Sequence, residues 1–143
     1  MAFVWVRALG GAEEEHEEVL LAAVSVTKGD VVYGASGYAT NATIANCKTS
    51  NIIGVAAESV DNSGGSAGDK VVLVMTNPLN VYEAPTAGTL SQSQVWTNVD
   101  LADAGTIDED DPKTNSAGVV KIRARVSASK ALVSLNYASP TEA

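Results

Sequence analysis

A β-branched run, Val26-Thr27-Lys28-Gly29-Asp30-Val31-Val32, is followed along the chain by two more, Asn51-Ile52-Ile53-Gly54-Val55-Ala56 and Gly68-Asp69-Lys70-Val71-Val72-Leu73-Val74-Met75. Each run is opened or interrupted by a turn residue. Valine and isoleucine favour strands, whereas glycine beside aspartate favours turns. The three runs therefore predict a series of short β-strands.

The end of the chain gives the clearest single strand. Residues 120–126 alternate apolar and basic side chains with a period of two, which is typical of a half-buried antiparallel strand. Residues 131–137 are predicted to return beside it, and residues 80–84 form a further strand between two prolines. Eight or more short strands predict an all-β fold, either a small β-barrel or a sandwich, in a single domain.

Three segments between these strands are less regular. The sequence predicts another strand at 95–97, one or two helical turns at 99–104, and an acidic loop at 108–112. The loop is predicted because proline at position 112 disfavours a helical conformation in the residue before it. Its carboxylates could hold a hard cation such as Ca²⁺, although a solvated acidic loop is the favoured interpretation.

Composition narrows the class of protein. Aromatic residues make up only 5% of the 143 residues, so the core is built mainly from aliphatic side chains. The net charge of −8 repels a phosphate backbone, which disfavours nucleic-acid binding. One cysteine, Cys47, excludes an intramolecular disulfide and is interpreted as a small buried hydrophobe. No apolar stretch reaches membrane-spanning length and no signal peptide is recognised, so we expect no membrane partner and synthesis in the cytoplasm.

Residues 1–18 are predicted to form an N-terminal arm or linker, and residues 19–143 the β-rich domain. The arm joins an apolar segment, Phe3-Val4-Trp5-Val6, to a block of five carboxylates within residues 13–18. We favour an acidic linker that runs into a strand over a helix at 13–25, because residues 19–24 are apolar without helical spacing. Two interpretations of the apolar segment remain: it adds a strand to a partner's sheet, or it is the first strand of its own fold.

No combination of residues indicates catalysis. The single histidine, His16, lies inside the carboxylate block and lacks a second histidine at metal-ligand spacing. Ser127 and Lys130 match a Ser-x-x-Lys spacing, but they join two predicted strands, whereas the acyl-serine enzymes carry the pair on a helix. We therefore predict a protein that is not an enzyme and that has no catalytic residue, metal ligand or cofactor.

Basic residues are concentrated on one strand. Lys121, Arg123 and Arg125 are three of the nine lysines and arginines, and period-two alternation predicts that they share one face. One interpretation is an ordinary solvated face. The other is a strip that pairs with an acidic surface, on a second copy or on another protein, and fixes register and orientation.

The order Lys-Gly-Asp-Val-Val at 28–32, Ile-Ile-Gly-Val-Ala at 52–56 and Gly-Asp-Lys-Val-Val-Leu-Val at 68–74 resembles the small β proteins that decorate bacteriophage heads. This resemblance to the capsid decoration, or cement, family covers residues 26–75 and, more loosely, the rest of the chain. It implies a β-tulip-like domain, commonly trimeric, that binds the major capsid protein on the outside of the virion.

The resemblance also implies the function. Such proteins bridge neighbouring capsid subunits and stabilise the head, without catalysis and without a cofactor. Local physics, not a family motif, selects the expected contact residues, which are Phe3, Val4, Trp5, Val6, Lys121, Arg123 and Arg125. The alternatives are a phage tail or baseplate component and a carbohydrate-binding surface module.

Overall fold

A computed structural model describes residues 2–9, 16–42, 47–48, 50–113 and 118–137. Within these ranges the protein is built from β-strands and one 3-10 helix at Gln92–Gln94. The strands are β1 (Val4–Ala8), β2 (His16–Leu20), β3 (Ser25–Val26), β4 (Val31–Ala35), β5 (Tyr38–Asn41), β6 (Ile52–Ala56), β7 (Val60–Asp61), β8 (Val71–Met75), β9 (Asn80–Pro85), β10 (Asn98–Asp103), β11 (Thr106–Lys113), β12 (Val120–Ser127) and β13 (Lys130–Leu135).

These strands form two antiparallel sheets and one small pair. The six-stranded sheet has the order β1-β9-β13-β12-β10-β11, and the five-stranded sheet has the order β2-β8-β6-β4-β5. Strands β3 and β7 pair with each other. The arrangement is a sandwich-like fold, so the all-β prediction is confirmed and the closed-barrel alternative is wrong. Because the sheets are open, each keeps two edge strands.

The main core lies between the two sheets. Side chains from the five-stranded sheet, such as Val31 and Met75, pack there against Tyr82, Leu101 and Ile122 of the six-stranded sheet. A second cluster occupies the other face of the five-stranded sheet, where Val26 and Val60 cover it. Away from its edge at β2, the five-stranded sheet is therefore buried on both faces, which explains the unbroken apolar runs at 52–56 and 71–75.

A turn at Gly29 ties the two sheets together. Gly29 has φ +91°, and the backbone N–H of Phe3 donates to its carbonyl oxygen over 3.0 Å. A Cβ at this position would lie 2.4 Å from the Cβ of Ala2, so only glycine fits. The chain just before β1 is thereby packed against the turn that leads into β4.

Several predicted strands are confirmed. The predicted strand at 120–126 is β12, and its return is β13; the strand predicted between the two prolines is β9. Of the three runs that opened the sequence analysis, the second and third contain β6 and β8, whereas the first joins the end of β3 to the start of β4 through a turn. The preference for a strand over a helix is confirmed by β2, but this strand begins inside the acidic block, at His16, and ends at Leu20; residues 13–15 lie outside the described residues.

Three predictions between these strands were wrong. Residues 99–104 are mainly strand β10, not helical turns, and residues 108–112 lie inside strand β11, not in a loop. These segments form strands because the buried residues Val99, Leu101 and Ile107 alternate with more exposed neighbours, several of them acidic. Residues 95–97 form no strand; they follow the 3-10 helix as a turn. Within the described ranges, no helix is long and apolar enough to cross a membrane.

Candidate interaction surface

The outer face of the six-stranded sheet is the candidate functional surface. Residues directly opposite each other in antiparallel strands point to the same side, and Val4, Glu83, Leu132 and Ala124 form such a row across four strands. All four are half-buried or exposed. None of the described strands packs on this face, whereas β3 and β7 contribute to the cover of the equivalent face of the five-stranded sheet. Among the described residues, this face of the six-stranded sheet is therefore left uncovered.

Trp96 stands at this face in an unusual backbone conformation. Its φ is +72°, the left-handed region that a bulky side chain rarely adopts. Two backbone bonds with β12 hold it there: the Trp96 N–H donates to the Ile122 carbonyl over 2.6 Å, and the Ile122 N–H donates to the Thr97 carbonyl over 3.0 Å. The Thr97 hydroxyl closes the turn on the Gln94 carbonyl over 2.6 Å. Trp96 as a whole is nevertheless 61% exposed.

Two cations flank this indole. The Lys121 Nζ lies 5.9 Å and the Arg123 Cζ 5.4 Å from the centre of the Trp96 ring, both within cation–π range. The Arg123 guanidinium also donates to the Ser134 hydroxyl over 3.5 Å. We call Trp96, Lys121 and Arg123 the basic–aromatic cluster. It presents two positive charges beside a fixed apolar plane, a combination that suits a carboxylate next to an apolar group.

Arg125 lies apart from that cluster. The pairing of β12 with β13 shifts register between Ile122 and Ala124 and again between Arg125 and Ser127. These bulges interrupt the regular alternation and re-aim the side chains. Arg125 donates from Nε to the Leu90 carbonyl over 3.0 Å. The predicted basic strip is therefore divided: Lys121 and Arg123 lie beside Trp96, whereas Arg125 is hydrogen-bonded to the loop that contains Leu90.

The apolar segment predicted as an arm is edge strand β1, which pairs with β9. Phe3 is 3% exposed and its ring lies 6.0 Å from that of Tyr82, and Trp5 is half-buried with its Nε1 donating to the Asn80 side chain over 2.9 Å. Val4 and Val6 are 57% and 38% exposed. The pairing agrees with the interpretation that this segment is the first strand of its own fold. Val4 and Val6 remain as its outward apolar side chains.

A groove of about 410 Å³ separates β1 from the start of β2. Phe3, Trp5, Met75 and the exposed His16 are among the side chains that line it. The groove lies between the edges of the two sheets, so it is a consequence of the sandwich being open on this side.

Three titratable side chains away from this face have pKa values that burial raises. Burial raises the pKa of the Cys47 thiol to about 12, and the nearby Asp100 carboxylate acts in the same direction. Burial likewise raises the pKa of Tyr137, whose hydroxyl donates to the Ile53 carbonyl over 3.1 Å. The pKa of Asp30 is also raised by burial, against the lowering effect of a hydrogen bond from the Thr27 N–H.

The Ser-x-x-Lys pair lies at the turn between β12 and β13. The Ser127 hydroxyl contacts that of Ser129 at 3.4 Å, and the Lys130 Nζ forms an ion pair with Glu83 at 3.4 Å. The lysine is thus engaged with a carboxylate on β9. Among the described residues, no group of three or more histidine, cysteine, aspartate or glutamate side chains lies close enough together to hold a metal ion.

The sequence alone did not identify the positions of two residues, Trp96 at the candidate face and Glu109 in the interior. Trp96 was placed in a predicted strand, and no local pattern signals its left-handed conformation. Glu109 was placed in a solvated loop, but it is 2% exposed and its carboxylate accepts the Gly88 N–H. Buried Ile107 and Glu109 alternate with the more exposed Asp108 and Asp110, which is the pattern of a strand, but the high acidic content of the segment concealed it.

Comparison of the chain with protein-family models and with curated proteins finds no match.

Proposed function

We propose that this chain is a structural virion protein that binds the outside of a phage capsid and stabilises it by bridging neighbouring major capsid subunits. The observation that carries the proposal is the open outer face of the six-stranded sheet. That single face holds Val4 of β1 together with Lys121 and Arg123 of β12, which come from the two segments that the sequence selected as contacts, and it adds Trp96 beside the two cations. The role needs no catalysis and no cofactor.

The chemistry of this face suits a protein surface. Exposed tryptophan and arginine are the residues most often found at the energetic centre of protein interfaces. Edge strand β1 presents backbone groups on its free side together with exposed Val4 and Val6. On a regular shell, many copies that each make a modest contact gain avidity when they bridge several subunits.

Binding to purified capsids tests the proposal. We expect Val4→Glu to weaken binding, because it places a carboxylate on an apolar contact that is 57% exposed in the free protein and therefore contributes little to folding. Ala67→Glu, which adds the same charge in the exposed loop between β7 and β8, is the matched control. Wild-type protein that fails to bind capsids, or Val4→Glu and Ala67→Glu variants that bind alike, would contradict the proposal.

Trp96 also favours a second candidate, a carbohydrate-binding surface module. An exposed, rigidly held indole offers a stacking plane, and the neighbouring cations suit anionic sugars. A glycan array discriminates the two candidates: specific binding that depends on Trp96, without capsid binding, supports this alternative.

A further inference from the structure

A second exposed patch lies on the five-stranded sheet. Glu18 and Leu20 are two residues apart on edge strand β2 and so point to the same side, where Leu20 lies directly opposite Val71 of β8. Leu20 is 48% and Val71 41% exposed, and Glu18 is exposed as well. We call Glu18, Leu20 and Val71 the acidic–apolar patch. It joins a carboxylate to a pair of aliphatic side chains.

This patch is the chemical complement of the basic–aromatic cluster. The patch offers a carboxylate where the cluster offers two cations. It also offers two aliphatic side chains where the cluster offers Trp96, which is 61% exposed. The patch lies in the five-stranded sheet, whereas the cluster lies on the outer face of the six-stranded sheet. Val71 lies four residues before Met75 on β8 and so points to the same side of the sheet as Met75, which belongs to the main core. The patch is therefore the exposed rim of the inner side of the five-stranded sheet, and within one copy the two sites lie on different faces.

We propose that the basic–aromatic cluster of one copy binds the acidic–apolar patch of a second copy. Charge complementarity argues for this occupant, because the cluster is a local positive site on a chain whose net charge is −8. An interface between two unlike patches of the same chain is heterologous, so it closes into a ring or continues as a filament according to the rotation between copies. The proposal does not depend on a capsid, so it goes beyond the function proposed above.

The strained backbone at Trp96 supports a binding role for the indole. A left-handed tryptophan persists only when its surroundings hold it, and such residues cluster at functional sites. The two backbone hydrogen bonds between Ile122 and residues 96–97 fix the backbone that carries the indole, and the indole itself lies beside Lys121 and Arg123 in the free chain. A preordered side chain loses little conformational freedom on binding, which favours association.

Sedimentation velocity of the purified full-length chain, over a concentration series at low salt, tests the interface. We expect the wild type to self-associate, and Arg123→Glu and Glu18→Lys each to raise the dissociation constant about tenfold or more. Mixing these two variants, or combining both changes in one chain, restores opposite charges across the interface and is expected to restore association. Added salt is expected to weaken it, because the contact is partly exposed.

Two matched controls separate the specific contact from general charge effects. Glu17→Lys changes the neighbouring carboxylate, which points to the opposite side of β2, and Lys48→Glu reverses an exposed charge that lies outside both patches. Both controls are expected to associate like the wild type. A wild type that stays monomeric at every concentration, single reversals that associate normally, or a mixture that is not restored would each overturn the proposal. Capsid binding is measured separately, so its failure would leave this result unaffected.

Discussion

Trp96 offers the sharpest test of how the surface is built, because two substitutions separate the side chain from the backbone conformation. Trp96→Ala removes the indole and keeps a Cβ at φ +72°, whereas Trp96→Gly removes the indole and the steric conflict together. The left-handed conformation costs a residue with a Cβ about 1–2 kcal/mol. Glycine loses about 0.5–1 kcal/mol relative to alanine through the entropy of the unfolded chain. We therefore expect Trp96→Gly to be more stable than Trp96→Ala by about 1 kcal/mol.

The expected difference corresponds to about 3–4 °C in Tm for a chain of this size, measured by circular dichroism and checked by urea denaturation. Trp96→Gly also removes two partly exposed cation–π contacts, each of which contributes about 0.5–1 kcal/mol. This loss opposes the relief of backbone strain, so the free energy of unfolding of Trp96→Gly is expected to lie within about 1 kcal/mol of the wild-type value. Val126 is the control site, because it is 48% exposed on β12 without a positive φ. There the alanine variant is expected to be the more stable one. A Trp96→Ala protein as stable as Trp96→Gly would refute the reasoning.

Three further predictions concern the interior. Gly54→Ala is expected to lower the free energy of unfolding by about 3 kcal/mol, measured by urea denaturation, because a Cβ there would lie 2.0 Å from the Met75 carbonyl oxygen. Gly64→Ala is the control, since the space around its Cβ is open, and equal effects of the two substitutions would contradict the packing. Native Cys47 is expected to react with iodoacetamide at pH 8 far more slowly than the unfolded chain, because burial raises its pKa to about 12; equal rates would show an exposed thiol. Because the pKa of Asp30 is raised, the native state binds the proton of this carboxyl more tightly than the unfolded state does. The free energy of unfolding of the wild type, relative to that of Asp30→Asn, is therefore expected to fall as the pH rises above 3.8. A difference that stays constant with pH would contradict this effect.

The sequence was most informative where burial alternates cleanly. Val120 and Ile122 are buried while Lys121 between them is only half-buried, and this local pattern is enough to place β12. The unbroken run at 71–75 also predicted a strand, although its cause, a sheet buried on both faces, required the second cluster that contains Val72 and Val74. Which face each residue occupies follows from pairing, so it could not be read from the run itself.

The sequence was misleading where charge hid the same alternation. In β10 and β11, acidic residues alternate with Val99, Leu101 and Ile107, so the segments appeared more like turns than strands. Glu109 breaks the rule by pointing inward, where the Gly88 N–H from a distant part of the chain satisfies its carboxylate. The conformation of Trp96 likewise depends on its hydrogen bond to Ile122, a long-range pairing. Strands β10 and β11 pair as a local hairpin, whereas contacts between residues far apart in sequence decided the cases of Glu109 and Trp96.

The measurement that tests the central claim most directly is the copy number of this chain in purified phage particles from its source, by quantitative mass spectrometry against the major capsid protein. The proposed function predicts a fixed ratio close to simple whole numbers, with the chain present at many sites over the shell. A handful of copies per particle would assign it to the tail or baseplate. Complete absence from particles would contradict a role in the virion.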